Sequence, residues 1–465
     1  MIALTLGEVA AATGGRLSGG AEPGAEVTGS VEFDSRAVGP GGLFLALVGE
    51  RADGHDFAEA AVRDGAVAVL ATRAVGVPAV IVEDVLVALG RLARLVLDRL
   101  PDVTVLALTG SSGKTSTKDL LAALLAGHGE TVAPPGSFNN ELGLSWTVLR
   151  ARPGTRYLVL EEGARGVGHI AALCQIAPPQ VAAVLNVGSA HLGGFGSVQA
   201  IAAAKGELVE ALPADGVAVL NVDDPLVAAM AWRTSAPVLR VGTAGDADVR
   251  AEDVSIDASG RPSFALVAGG ERHDVDLQLH GAHHVANALS AAGMALAVGV
   301  EPADIAATLS AATPASPWRM AVSERGDGVT IVNDAYNANP ESVAAALRTL
   351  AAMSAPAGRR SWAVLGPMAE LGDGTARAHI VAGALAAQLG IDRIVALGPD
   401  AAAIRDGADA AGGTALAVPD LSTATALLSD ELRPGDIVLV KASRVCGLER
   451  LAESLLAAGA AGVRT

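Results

Sequence analysis

The sequence predicts an α/β chain of three domains with mostly parallel sheets, and three observations carry that expectation. The length, 465 residues, suits about three domains of roughly 150 residues each. From residue 101 onward, short β-branched apolar runs alternate with longer helical patterns, the rhythm of βαβ units. A proline-rich stretch, Thr313-Pro-Ala-Ser-Pro317, interrupts that alternation and reads as a linker. The expected domains are therefore 1–100, 101–314 and 315–465.

The elements follow in order. Before residue 100 the pattern is short and rich in glycine, with a strand at Leu43 to Leu47 and a helical run, Val85 to Leu100, stopped by Pro101. This part reads as a small, separate α/β domain. The central part places strands at Val103 to Leu108, Tyr157 to Leu160, Val181 to Val187 and Val217 to Leu220, with a helix starting at Lys114. After the linker, strands are expected at Val329 to Val332, Trp362 to Leu365, Ile394 to Leu397 and Ile437 to Val440. The alanine- and glycine-rich segment Asp409 to Val418 reads as an αβ connection, and no period of a solenoid is seen.

Composition narrows the function. Hydrophobic residues at 51% exclude a disordered chain, and a net charge of −17 disfavours a nucleic-acid or anionic-membrane binder, which needs a basic face. An anionic ligand must then be met by local dipoles, metal ions or a few placed cations. The two cysteines, Cys174 and Cys446, make neither a disulfide framework nor a thiolate metal site, which fits a reducing compartment. Neither a secretory signal nor a membrane span is apparent, because the hydropathy comes from alanine rather than long Leu/Ile/Phe runs. A cytoplasmic enzyme is expected, and a monomer.

One motif carries chemistry alone. The strand Val103 to Leu108 runs into Thr109-Gly-Ser-Ser-Gly-Lys-Thr115 and then into the helical Ser116 to Leu125. Strand, glycine turn and helix N-terminus make a phosphate loop: backbone N–H groups close on the phosphates, Lys114 reaches the β and γ positions, and the Thr115 hydroxyl faces Mg²⁺. The run is shorter than the usual G-x-x-x-x-G-K-[ST], so a chance glycine turn stays open on this motif alone; no N-K-x-D base signature accompanies it.

Further segments line up with one family in order: Asp34-Ser-Arg36, Gly42-Leu-Phe44, Asp53-Gly-His55, Phe138-Asn-Asn140, Glu161-Glu-Gly-Ala164, Asn186-Val-Gly-Ser-Ala-His191, Ala204-Lys-Gly-Glu207, Asn333-Asp-Ala-Tyr-Asn-Ala-Asn-Pro340, Val364-Leu-Gly366 and Glu370-Leu-Gly372. Together with the short phosphate loop they resemble the Mur ligases across nearly the whole chain. The resemblance implies an N-terminal domain for a UDP-linked substrate, a central P-loop ATPase domain with a mostly parallel sheet, and a C-terminal Rossmann-like ligase domain.

It also implies roles. Gly110, Ser111, Ser112, Gly113, Lys114, Thr115 and Ser116 would hold ATP, joined by His283 and Asn287 near the adenine and by Arg319 and Asp334 from beyond the linker. Thr115, Glu161, His191 and Lys205 would hold Mg²⁺, two ions being expected. Glu161 and His191 follow strands, where ligands gather in open α/β sheets, although an isolated loop histidine is more often structural. Lys205 lies in the apolar helical run Ile201-Ala-Ala-Ala-Lys-Gly, where residue chemistry alone suggests a lysine that snorkels to water; the resemblance implies a CO₂-derived carbamate on it. With Lys114, these make Glu161, His191 and Lys205 the implied catalytic set. Ser35 and Arg36 resemble uridine diphosphate contacts. Asn139, Asn140, Tyr336, Asn337 and Asn339 are implied substrate contacts, against the plain reading of 334–340 as a turn.

The implied reaction is ATP-dependent: the carboxylate of UDP-N-acetylmuramoyl-tripeptide becomes an acyl phosphate and is joined to D-alanyl-D-alanine, a step of peptidoglycan precursor synthesis. A D-N-P-R signature of the diamino-acid-adding relatives is absent from the last domain. Sister acid–amine ligases and a non-catalytic nucleotide switch are the alternatives. Three positions depart from the family pattern: Gly193 in Ala190-His-Leu-Gly193, His284 in place of the hinge motif's asparagine, and Ala442 for a glycine.

Overall fold

The computed structural model describes residues 1–461; the end of the expected third domain, 462–465, lies outside the described residues. The N-terminal region builds a five-stranded sheet in the order Arg16–Ser18, Ala79–Ile81, Ala66–Ala71, Gly42–Leu45, Val31–Glu32. The strand placed at Leu43 to Leu47 thus ends at Leu45. The helix Val85–Asp98 begins at Asp84, whose carboxylate accepts the Leu86 and Val87 N–H groups, donors that a helix start otherwise leaves unpaired. Its apolar stripe, Leu89, Leu92 and Val96, packs into a core continuous with that of the central region.

The central sheet has nine strands. Six form a parallel block plus its edge: Val238–Gly242, Val217–Asn221, Val181–Val184, Thr104–Thr109, Thr155–Glu161, Glu130–Val132. The inner strands Val217–Asn221, Val181–Val184 and Thr104–Thr109 read as near-unbroken apolar runs because helices cover both faces, while the outer strands Glu130–Val132 and Val238–Gly242 carry polar residues. The strand expected to reach Val187 stops at Val184, where the chain turns toward the phosphate loop. Beyond Val238–Gly242 the sheet continues through Val249–Ile256, paired in parallel, and then an antiparallel ribbon, Pro262–Ala268 and Glu271–Asp276.

After the linker, six strands lie in the order Ala321–Glu324, Thr330–Asn333, Ile437–Lys441, Ser361–Leu365, Arg393–Leu397, Ala415–Val418. All pairings except the first are parallel, and separate apolar cores fill the two faces. The helix Pro340–Ser354 follows the second strand, with Pro340 at its first position and Asn339 as its cap. Among the described residues, no helix is long and apolar enough to cross a membrane.

Candidate active site

A cleft of about 430 Å³ opens where carboxyl ends of the central strands face the third sheet. Thr104–Thr109 delivers the phosphate loop to its floor, and the helix Lys114–Ala126 begins there with no side-chain cap. Two neighbouring helices start with side-chain caps, Glu141–Val148 by Asn140 and Val198–Glu210 by Ser197, whereas His284–Ala297, which also lines the cleft, has none. The free first-turn N–H groups of the phosphate-loop helix therefore face the cleft, where an anion satisfies them. Gly113 turns the loop at φ 80°, and a Cβ there would strike the Asn287 amide oxygen.

Asn186 shapes the loop from two residues beyond the strand Val181–Val184. Its Oδ1 accepts the Ser111 and Ser112 N–H groups, both at 2.9 Å, and its Nδ2 donates to the Ser112 carbonyl at 3.1 Å. The Lys114 ammonium donates to the Gly110 carbonyl at 2.8 Å; burial lowers its pKa, opposed by Glu161 and reinforced by Arg319. Glu161, the last residue of its strand, is 1% exposed. Its two oxygens accept from the Thr115 hydroxyl and the Asn139 amide, each at 2.7 Å.

His191 sits at φ 62° ahead of the short helix Leu192–Phe195, with its Nδ1 paired to Glu370 of the third region. Burial lowers its pKa, against the pull of Glu370. Lys205 is buried in the helix Val198–Glu210, behind the residues that line the cleft. Burial pushes its pKa well below the usual lysine value, and the nearby Lys114 charge pushes the same way. A lysine so placed is neutral often enough to act as a nucleophile. The oxygen donors of Thr115 and Glu161 are of the kind that suits a hard divalent cation. Among the described residues no three His, Cys, Asp or Glu side chains gather as a self-sufficient metal site.

The third region closes over this floor. Arg319 Nη2 donates to the Thr115 hydroxyl at 2.7 Å while its guanidinium lies 4.1 Å from the Tyr336 ring centroid. Asp334 accepts from the buried Lys441 ammonium at 2.5 Å and from the Met320 N–H at 3.1 Å. Glu341 accepts the Ser189 N–H and hydroxyl at 2.8 and 2.9 Å, and the Gly193 N–H donates to the Glu370 carbonyl at 3.1 Å. The tyrosine hydroxyl of Tyr336 meets Ser137.

The cleft thus gathers Ser111 to Ser116, Glu161, His191, His283, Asn287, Arg319, Asp334, Asn139, Asn140, Tyr336, Asn337 and Asn339. Several side chains expected on substrate are engaged with the protein instead. Asn140 Oδ1 caps a helix, and Asn339 caps Pro340–Ser354 while donating to the Ser111 carbonyl at 3.2 Å. Ser35 and Arg36 lie outside the cleft, Arg36 exposed and paired with Asp34 at 2.7 Å. Asn186, Glu341, Glu370 and Lys441 also line the cleft and were left off the expected set; Asn186 and Glu370 did carry a signal, each opening a segment that resembles the family pattern.

Comparison with known proteins agrees with this geometry. Family models for the Mur ligase family catalytic domain, the Mur ligase middle domain and the Mur ligase glutamate ligase domain match residues 26–96, 108–295 and 318–444. The UDP-N-acetylmuramoyl-tripeptide--D-alanyl-D-alanine ligase of Mycobacterium tuberculosis is 50% identical over 98% of both chains. That of Escherichia coli is 37% identical over 98% of this chain and 99% of its own. A crystal structure of MurF from Acinetobacter baumannii superposes with a TM-score of 0.88 at 31% identity, covering 98% of this chain and 99% of the other. MurF from Thermotoga maritima in complex with ADP gives 0.79 at 31% identity over 94% and 99%. With a family model in each of the three regions and relatives alike from end to end, the chain belongs to the Mur ligase family, in its MurF branch.

Proposed function

We propose that this chain joins D-alanyl-D-alanine to the carboxylate of UDP-N-acetylmuramoyl-tripeptide at the expense of ATP, giving the UDP-linked pentapeptide, ADP and phosphate. The observation that carries this reading is the reach of Arg319 from beyond the linker to the Thr115 hydroxyl of the phosphate loop, in a chain 50% identical to a ligase of that name. The division of labour proposed is 1–100 for the UDP-linked substrate, 101–314 for ATP and 315–465 for the incoming dipeptide; the separate sheets support it.

The chain's own groups account for the chemistry. The uncapped helix start at Lys114 and the Lys114 ammonium bind the β and γ phosphates and hold the γ-phosphoryl group in line with the tripeptide carboxylate. Arg319, fixed against the Tyr336 ring, meets charge that develops on that group. Attack by the carboxylate gives an acyl phosphate and ADP, which turns a poor acyl donor into a reactive one. The dipeptide amine then attacks the acyl carbon and phosphate leaves. Asp334, held by Lys441, and His283 with Asn287 orient the nucleoside side. The bridges from Glu341 to Ser189 and from Gly193 to Glu370 keep water from the activated acid. Thr115, Glu161 and His191, with Lys205 as its carbamate, would hold Mg²⁺, which supplies electrostatic neutralisation of the phosphates. Ser35, Arg36 and Asn139 remain the proposed contacts to the UDP-linked substrate, and Tyr336 and Asn337 those to the dipeptide.

Oxygen tracing tests the acyl phosphate. Tripeptide substrate labelled with ¹⁸O in its terminal carboxylate must deliver one label to released phosphate. Phosphate without label contradicts the reading.

A further inference from the structure

Aromatic side chains make up only 3% of this chain, yet three meet at one seam between its first two regions. Phe33 comes from the N-terminal region, directly before Asp34-Ser35-Arg36; Phe138 and Trp146 come from the central region. Ring centroids lie 6.0 Å apart for Phe33 and Phe138, 5.8 Å for Phe33 and Trp146, and 5.2 Å for Phe138 and Trp146, the spacings of tilted and edge-on aromatic pairs. Glu32, also N-terminal, accepts the Trp146 indole N–H at 3.2 Å, and the Arg150 guanidinium covers the indole at 5.1 Å.

The far side of this cluster leads to the phosphate site. Phe138 is followed by Asn139, whose amide donates to Glu161, and Glu161 accepts the Thr115 hydroxyl. The Asn139 carbonyl also accepts the Gly163 N–H at 2.9 Å. Asn140 caps the helix Glu141–Val148 that carries Trp146, so Phe138, Asn139 and Trp146 are tied to one short rigid element. The aromatic cluster and the Asn139 contacts to Glu161 and Gly163 thus lie on one continuous stretch of chain, residues 138–146.

We propose that Phe33, Phe138 and Trp146 are positioning residues: through them, occupancy of the N-terminal region by the UDP-linked substrate sets Asn139, and with it Glu161 and Thr115, for ATP. This rests on the reading of that region as the seat of the uridine nucleotide. The contacts form one contiguous packed chain, and a coupling carried by it acts equally in both directions.

The test is the affinity of the full-length protein for a non-hydrolysable ATP analogue with Mg²⁺, measured by calorimetry with and without UDP-N-acetylmuramoyl-tripeptide. In the unaltered protein the UDP-linked substrate tightens the analogue by a factor in the range of about 5–150. Phe33→Leu brings that factor to within about twofold of unity while the analogue's affinity alone changes by less than about threefold. Trp146→Phe, which keeps a ring and loses the bond to Glu32, gives a value between; if Phe33→Leu loses its cooperative melting transition, this variant decides. An undiminished factor in the variants, or no coupling in the unaltered protein, overturns the proposal. Failure of the unaltered protein to bind UDP-N-acetylmuramoyl-tripeptide at all is a different result, which sinks the proposed function and this inference with it.

Discussion

Burial governs protonation among the side chains around the cleft. His283 is held at about 4 because burial penalises the imidazolium, with Asp334 opposing and Lys441 reinforcing; His284 is lowered well below the usual value by burial and by His283 and His280. The unfolded chain protonates these rings near pH 6.5, so between about 6.5 and 4 it binds more protons than the fold. Their contribution to stability is thus present above about 6.5 and lost as pH falls through about 4. Urea unfolding at about pH 7 and about pH 4.5 checks this: a His283→Asn/His284→Asn variant loses less stability over that interval than the unaltered protein. An equal loss contradicts the sign. Lys205 is the second case. Lys205→Ala lowers kcat by at least about 100-fold, with partial rescue by short carboxylates that stand in for a carbamate. Full activity in that variant removes Lys205 from the account. The phosphate loop was legible residue by residue, since glycines, lysine and threonine sit in sequence. Glu341 and Lys441 were not, and Glu370 showed only as the start of a family-like segment, because their contacts arise from segments more than 100 residues apart that meet only by folding.

At the scale of elements, close approach of backbones sets helix packing in the third region. The helices Thr375–Gln388 and Ala403–Ala410 cross at Gly383 and Gly407, where a Cβ on Gly383 would fall on the Ile404 carbonyl oxygen. Gly383→Ala therefore forces the helices apart, at a cost of about 1–3 kcal/mol read by denaturant titration. A change within about 0.5 kcal/mol shows that the crossing yields freely. Parallel strands such as Thr104–Thr109 and Ile437–Lys441 were visible in the sequence because both faces are buried and the runs are uniformly apolar. The ribbon Val249 to Asp276 was not: Glu252, Asp253, Arg272 and Asp274 make its solvent face read as loop.

Across the whole molecule, the first two regions share one continuous core while the third has its own and meets the cleft through polar bridges. Polar bridges over a ligand site open more readily than a shared core. Glu341→Ala removes the acceptor for two Ser189 donors; with ATP analogue and UDP-linked substrate bound, its radius of gyration in small-angle scattering exceeds that of the unaltered protein. Identical profiles contradict a closing role for this bridge. Gly193, a departure from the family pattern, is where the Glu370 to Gly372 loop comes to rest on the central region, so the change favours backbone contact at the seam.

The central claim is that this cleft activates a carboxylate for a dipeptide amine. ATP-dependent phosphate release with UDP-N-acetylmuramoyl-tripeptide, compared among D-alanyl-D-alanine, single amino acids, a diamino acid and no amine, tests it most directly. Release that requires D-alanyl-D-alanine, with a matching mass gain on the UDP-linked product, is the predicted result. Release that requires a different amine, or none despite tight ATP binding, contradicts it.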